Sequence, residues 1–146
     1  MPLTILAPLA FDRVTYDGVR SQVVADELIG AARRRYASIV REPGSRLIGI
    51  SPYDMYTQQI QRWAFTFSLR DEGNHVAVVS YARMDPAIFG NAPDDALLES
   101  RLRKMVIKNI GIMCYGRSAS TNPHSVLYGN IGGTDELDVM TEEFDP

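Results

Sequence analysis

The sequence predicts a single domain of the α/β (α+β) class, residues 1–146, with a small mixed β-sheet and a long N-terminal helix. Three observations support this fold class. With 146 residues, 45% of them hydrophobic, the chain can bury one sizeable core but not two. Runs rich in β-branched and aromatic residues alternate with stretches of helical periodicity. The sequence contains no repeat or low-complexity segment that would divide it.

The N-terminal third predicts a strand, a helix and a second strand. Residues 3–11 form the first strand, and Pro8 places that strand at a sheet edge or a bulge. Residues 17–40 carry apolar side chains at helical spacing, which predicts a long helix with Asp17 as its N-cap. The letters EPGS then break the chain, and residues 46–51 resume it as a short strand.

The middle of the chain predicts a β-hairpin. Trp63, Phe65 and Phe67 alternate with smaller or polar residues within 62–69, as expected for a half-buried strand. After the turn RDEGN, residues 75–84 form a second strand, which is more uniformly apolar and is therefore expected nearer the sheet centre.

The C-terminal third predicts helices and loops. Asp94 or Asp95 caps a helix over about 95–114, whose apolar stripe is sufficient for core packing. The basic residues 101–104 are expected on the outer face of this helix. A polar loop follows, and then a short helix capped by Thr134.

Composition and charge exclude several classes of function. Eighteen acidic and fifteen basic residues give a net charge of −3, which disfavours nucleic acid and anionic membrane surfaces as partners. Prolines and Asp12 interrupt the N-terminus too early for a signal peptide, and no apolar run reaches the ~20 residues of a membrane span. A single cysteine fits a reducing compartment. We therefore predict a cytoplasmic protein; its oligomeric state stays open.

Four segments, taken in order, resemble a known family. They are LIGISPYDMY, the hairpin WAFTFSL with VAVVSYARM, the helix RLRKMVIKNIGIMCYG, and SVLYGN. Over roughly residues 46–140 they are similar to the metzincin zinc peptidases, especially the archaemetzincin branch of predicted zinc proteases. The resemblance implies an Asp-x-Tyr after a strand and a Ser-x-x-Arg before the active-site helix. It also implies a Met-turn-like segment after that helix.

The resemblance places this chain's helix where the family binds zinc. There the family carries His-Glu-x-x-His, because residues four apart share a helix face and can aim two imidazoles at one ion, while the Glu acts as general base. Aligning Gly111 puts Lys108 and Ile112 at the His positions and Asn109 at the Glu position. A protonated lysine repels a dication, isoleucine has no donor atom, and asparagine cannot accept a proton.

The positions downstream differ from the family pattern as well. The third zinc ligand would fall near Tyr115 to Ser118, none of which is His or Asp, and Leu127 with Tyr128 stands in the Met-turn where the family has Met. Of the several cysteines of the archaemetzincin branch, only Cys114 is present here. We therefore predict a metzincin-like domain whose zinc motif is lost, with no catalytic residue, no metal ligand and no cofactor.

The predicted function is that of a non-catalytic pseudo-peptidase that binds a peptide or protein partner, so the interpretation leans against an enzyme. The family cleft holds an extended substrate along an edge strand, here 62–69 or 75–84. Candidate cleft residues are Arg83, His124 and Tyr115, and the basic Arg83 and Lys108 favour a carboxylate-bearing ligand.

Three alternatives stay open. The first is a zinc-dependent metallopeptidase or other hydrolase with non-standard ligands, and the second is a subunit of a larger assembly. The third is a pair of Cys114 and His124, either as an activated thiol or, with an Asp, as a metal site. Against the thiol, a lone cysteine late in an apolar helix is usually a small buried hydrophobe, and the metal site lacks a recognisable spacing.

Overall fold

A computed structural model describes residues 2–10 and 15–145. Its regular elements within these ranges are six strands, four α-helices and two short 3-10 helices, Glu72–Asn74 and Pro86–Phe89. The strands are β1 (Tyr16–Asp17), β2 (Gln22–Val24), β3 (Leu47–Ser51), β4 (Met55–Tyr56), β5 (Ser68–Asp71) and β6 (Val76–Ser80). The helices are α1 (Ala25–Arg35), α2 (Ala37–Val40), α3 (Asp95–Tyr115) and α4 (Thr134–Val139).

The strands form two small mixed sheets. One has the order β1-β2-β4, with β1 antiparallel and β4 parallel to β2. The other has the order β3-β6-β5, with β3 parallel and β5 antiparallel to β6. Every residue of β6 is buried, as expected for a central strand that is covered on both faces. The predicted mixed α/β fold class is therefore confirmed, with two sheets in place of one.

The second sheet lies between two helices, and each face has its own apolar cluster. Because successive strand residues point to opposite faces, Val76 and Val78 face α1 while Val79 faces α3. The buried members of the α1 cluster are Val23, Ala25, Ile29, Ala32, Met55, Val76 and Val78. Those of the α3 cluster are Phe67, Val79, Met84, Met105, Leu137 and Met140.

The N-terminal third differs from its prediction. Residues 3–10 form no strand, and Phe11, the last residue of the predicted strand, lies outside the described residues. The predicted helix over 17–40 begins only at Ala25. Asp17 is not an N-cap: its carboxylate accepts from the backbone N–H of Val19 at 3.0 Å and of Arg20 at 3.1 Å, which closes the turn between β1 and β2.

The predicted hairpin is present, but its first strand is displaced. Residues 62–67 are not a regular strand, and β5 runs from Ser68 to Asp71. Trp63 is exposed and Phe67 is buried, so the aromatic residues do not share one buried face. Phe65 instead packs edge-on against Phe67, with ring centroids 5.0 Å apart.

The C-terminal helices follow the prediction closely. Helix α3 spans Asp95–Tyr115, and Asp94 caps it by accepting a hydrogen bond from Leu97 N at 2.9 Å. Gly116 ends it in the left-handed conformation, with φ of 61°. Helix α4 begins at Thr134, but its cap residue is Gly133, whose N–H donates to Glu136 Oε2 at 2.9 Å. Over the described ranges, no helix combines the length and apolar character needed to cross a membrane.

Candidate functional site

The turn Ser125–Tyr128 lies against the middle of α3. Lys108 Nζ donates to the Tyr128 carbonyl oxygen. One turn further along the helix, a Cβ at Gly111 would lie 3.1 Å from Leu127 Cδ2, so Leu127 packs closely against the helix at a position without a side chain. The turn is closed by Tyr128 N donating to the Ser125 carbonyl at 3.1 Å. The segment that resembles the Met-turn therefore lies beside the segment that resembles the zinc helix.

Lys108 is a buried cation at this junction. Only 6% of the residue is exposed. Burial, and to a smaller extent the positive charge of Arg70, lower the pKa of its ammonium from 10.5 to about 8. Lys108 thus stands where the resembled family has the first zinc-binding histidine, and its amine bonds to the backbone of the turn at Tyr128.

Asn109 joins α3 to the edge strand β5. Its Nδ2 donates to Ser68 Oγ at 2.9 Å and to the Met105 carbonyl at 2.7 Å. Its Oδ1 accepts from Arg70 Nη1 at 3.3 Å. Since the side chain is fully buried and all its polar atoms are bonded, Asn109 acts as a bridge between strand and helix.

The other predicted site positions lie further along the same region. Ile112 is half-buried, and Tyr115 is exposed at the end of α3, where its ring meets Phe144 at 6.4 Å between centroids. His124 is exposed, and its carbonyl oxygen accepts from Thr141 N and Thr141 Oγ1, each at 2.8 Å. Cys114 is a free, half-buried thiol. Their assignment as binding residues stays a prediction.

Arg83 is engaged within the protein. Its Nε and Nη2 donate to the two carboxylate oxygens of Asp54 at 2.9 and 2.8 Å, and its guanidinium carbon lies 4.3 Å from the centroid of the Phe65 ring. Ser80 Oγ donates to the Tyr53 carbonyl at 2.6 Å. Ser80 and Arg83 of the Ser-x-x-Arg motif thus tie the end of β6 to Tyr53 and Asp54, which follow β3.

Two residues of the junction were not anticipated from the sequence. Ser68 and Arg70 were placed in a strand and in the following turn, but both lie on the α3 side of β5. Which face a strand residue takes depends on the pairing register, and a shift by one residue reverses it. The alternation of apolar and polar residues over 62–69 predicted that the strand ends at residue 69. The sequence therefore contained no indication that Arg70 lies in the strand and faces α3.

The residues at this junction do not fit a zinc ion. Lys108, Asn109 and Ile112 offer an ammonium, an amide and an alkyl group where a zinc site needs imidazole, thiolate or carboxylate. Within residues 2–10 and 15–145, no three His, Cys, Asp or Glu side chains are grouped so that they could hold a metal. These three residues therefore supply no ligand set for a zinc-based catalytic step.

Comparisons with known proteins identify the fold. No model of a known protein family matches the chain. The chain is 27% identical over 124 residues to an archaemetzincin of Pyrococcus furiosus, covering 83% of this chain and 59% of that protein. It is 36% identical over 81 residues to an archaemetzincin of Pyrococcus horikoshii, covering 56% of this chain and 41% of that protein. A zinc-dependent peptidase of Methanocorpusculum labreanum superposes with a TM-score of 0.77 at 25% identity, over 96% of this chain and 77% of that one.

The fold is therefore archaemetzincin-like, as the resemblance implied. The chain spans at most 59% of the length of these two curated relatives. The comparisons also correct the prediction that no cofactor is involved. The similar solved structure is a zinc-dependent peptidase and the relatives are archaemetzincins, so zinc is the cofactor to which the comparisons point.

Proposed function

We propose that this chain binds an extended peptide or protein segment along the outer edge of β5. The observation that carries the proposal is the position of β5, an antiparallel strand at the end of the sheet β3-β6-β5. Ser80 N donates to the Phe67 carbonyl at 2.9 Å. Since bonded and non-bonded pairs alternate along an antiparallel ladder, the backbone groups of Ser68 and Arg70 face away from β6. Those of Ser68 bond to Thr66 Oγ1, which donates to the Ser68 carbonyl at 2.8 Å and accepts from Ser68 N at 3.4 Å, so a partner strand would begin its pairing at Arg70. Edge strands of this kind accept a further strand by main-chain pairing.

The surroundings of β5 support a peptide in this position. A groove of about 450 Å³ runs between α1 and β5 and is lined in part by Leu69, Arg33 and Asp71. On the other side of the strand lie Arg70 and Asn109. Successive side chains of a paired peptide point to opposite faces of the sheet, so both surfaces would take part in recognition.

Zinc-dependent hydrolysis of the bound peptide is the second candidate, and the comparisons favour it over a non-catalytic function. The relatives and the similar structure are archaemetzincins and a zinc-dependent peptidase. In this chain a zinc ion would need ligands other than residues 108, 109 and 112. The pseudo-peptidase function predicted from the sequence remains the competing proposal.

One experiment separates these proposals. A peptide array is incubated with protein purified without chelator, and binding and cleavage are measured with and without added zinc or a zinc chelator. Binding to a defined set of peptides supports the β5 proposal, and a uniform lack of binding contradicts it. Cleavage that a chelator abolishes and zinc restores, with stoichiometric zinc in the purified protein, establishes the peptidase; binding without cleavage under every metal condition establishes the pseudo-peptidase.

Further aspects of function rest on the sequence. We propose no binding to nucleic acid or membranes, supported by the net charge of −3, and a cytoplasmic location, with which the single cysteine is consistent. Membership in a larger assembly is also kept as a proposal, which light scattering after size-exclusion chromatography tests: a monomer without a co-purifying partner contradicts it.

A further inference from the structure

Two cations lie next to each other between β5 and α3 with little to neutralise them. Lys108 is 6% exposed, and the Arg70 side chain is 23% exposed. In the described part of the chain, the one carboxylate within 4 Å of either cation is Glu72, whose Oε1 lies 3.8 Å from Arg70 Nε. The Glu72 side chain is itself 67% exposed, so solvent screens its charge.

The hydrogen-bonding capacity of the two cations is largely unused by the protein. Arg70 Nη1 donates to Asn109 Oδ1 at 3.3 Å, whereas the buried Arg70 Nε has no hydrogen-bond partner among the described residues. Lys108 Nζ has three donors, and one of them is taken by the Tyr128 carbonyl. A buried donor without a partner costs free energy, which a suitable ligand would recover.

Two other guanidinium groups of the protein are neutralised directly, unlike Arg70. Arg101 makes a bidentate ion pair with Asp138, at 2.7 and 2.6 Å. Arg83 pairs in the same way with Asp54. In both cases a full carboxylate faces the guanidinium, and nothing comparable faces Arg70 and Lys108.

We propose that Arg70 and Lys108 form a carboxylate-binding site at the edge of β5, which recognises a carboxylate of the bound peptide. A carboxylate between the two cations replaces their mutual repulsion with two charge-assisted interactions and satisfies free donors. Of the two cations Arg70 is the more accessible, since 23% of its side chain is exposed. The inference rests on the proposed binding of peptides along β5, because the carboxylate belongs to a segment paired with that strand.

The carboxylate has two sources within a peptide, which small probes distinguish. N-acetylglycine represents a C-terminal carboxylate, and N-acetyl-aspartate N′-methylamide represents an acidic side chain. N-acetylglycinamide and N-acetyl-asparagine N′-methylamide are their neutral counterparts. Binding of each probe is measured by NMR titration, with the side-chain signals of Lys108 and Arg70 as reporters.

We expect at least one acidic probe to bind and to shift both reporter signals, while its neutral counterpart does not. Each of the variants Arg70→Gln and Lys108→Met should weaken binding of that probe by about tenfold, since a hydrogen bond to a charged group is lost. Lys104→Met is the matched control, because Lys104 is a second buried lysine of α3, whose Nζ donates to the Leu137 carbonyl at 2.8 Å. This control variant should bind as the wild type does.

Two results would overturn the carboxylate site: no acidic probe binds, or acidic and neutral probes bind alike and are insensitive to Arg70→Gln and Lys108→Met. The peptide array tests the proposed function independently. Array peptides with a free C-terminus are compared with amidated ones, and peptides with acidic side chains with their neutral counterparts. If the peptides bind but neither change alters their affinity, the carboxylate site is wrong and peptide binding stands. If the probes bind as expected and no array peptide does, the site stands and peptide binding fails.

Discussion

At the scale of single residues, the burial of Lys108 predicts that the stability of the fold depends on pH. Its pKa in the folded protein is about 8, below the ordinary value of 10.5 that it regains on unfolding. Between these two values the unfolded chain binds more protons than the folded one. The free energy of unfolding should therefore rise with pH across this window, as the buried ammonium loses its charge.

We expect this contribution to amount to at most about 3 kcal/mol between pH 8 and 10.5. Urea denaturation of the wild type and of Lys108→Met, in buffer free of carboxylates, measures it as a difference between the two proteins. In the Lys108→Met variant, the free energy of unfolding should not show this rise between pH 8 and 10.5. An identical pH dependence in both proteins would show that Lys108 is not charged and buried as described.

A second residue-scale prediction concerns Asp54 and Arg83, which are partly exposed, at 20% and 33% of their side chains. Since the contact is bidentate and also stacks on Phe65, we expect a coupling free energy of about 1 kcal/mol, above that of an ordinary surface pair. A double-mutant cycle with Asp54→Asn and Arg83→Gln, followed by urea unfolding, measures it.

The control for this cycle is the more exposed pair of Arg103 and Glu99, with oxygen and nitrogen 3.1 Å apart. Its coupling should be clearly weaker than that of Asp54 and Arg83, because solvent screens exposed pairs on one helix. Equal coupling energies in the two cycles would mean that the Asp54–Arg83 contact has no special structural role.

At the scale of elements, the close contact of α3 with the C-terminal segment depends on Gly111. A Cβ at this position would lie 2.4 Å from Phe144 Cε1 and 3.1 Å from Leu127 Cδ2. Gly111→Ala should gain about 1 kcal/mol from helix propensity but lose more from displaced packing, which leaves a net loss of about 1 kcal/mol in unfolding free energy.

Two further variants test this explanation by thermal and urea unfolding. Gly30→Ala in α1 meets only the tip of the flexible Arg34 side chain at 3.3 Å and should be neutral or stabilising. In a Phe144→Ala background, the penalty of Gly111→Ala should largely disappear. A penalty of the same size in that background would show that Phe144 is not the obstacle.

The elements also show how far the sequence could predict the fold. Helix α3 was predicted almost to its ends, since its caps are local: Asp94 at the start and a glycine, Gly116, at the end. The start of α1 was wrong because Asp17 closes a turn, after which Val23 and Val24 pair with β4. That pairing is with residues more than thirty positions away, so no local pattern contains it.

The predicted outer face of α3 was wrong for a similar reason. Arg101 and Lys104 are buried, because their polar ends reach the carbonyls of Met84 and Leu137 and the carboxylate of Asp138. Basic side chains with long apolar stems can cover a core in this way. Part of the candidate site could be predicted, namely Lys108 beside the turn, while Arg70 depended on the register of β5.

At the scale of the whole molecule, an archaemetzincin-like fold is combined with a site whose residues have different chemistry. The helix and the turn lie side by side as the resemblance implied, whereas the edge strand is β5 and neither of the predicted runs 62–69 and 75–84. The comparisons point to zinc. At the junction itself, however, Lys108 and Arg70 supply positive charge and Asn109 links helix to strand. Peptide recognition along β5 is the property that the geometry supports under either proposal for catalysis.

The central claim is that β5 pairs with a peptide backbone, and selective N-methylation of the peptide tests it most directly. The tightest-binding array peptide is synthesised in two forms, methylated on the backbone nitrogens of its odd or of its even residues. Because only alternate residues of a paired strand bond to their neighbour, we expect one form to bind at least about tenfold more weakly and the other to bind nearly as well as the parent. Equal affinities of both forms would contradict pairing along β5.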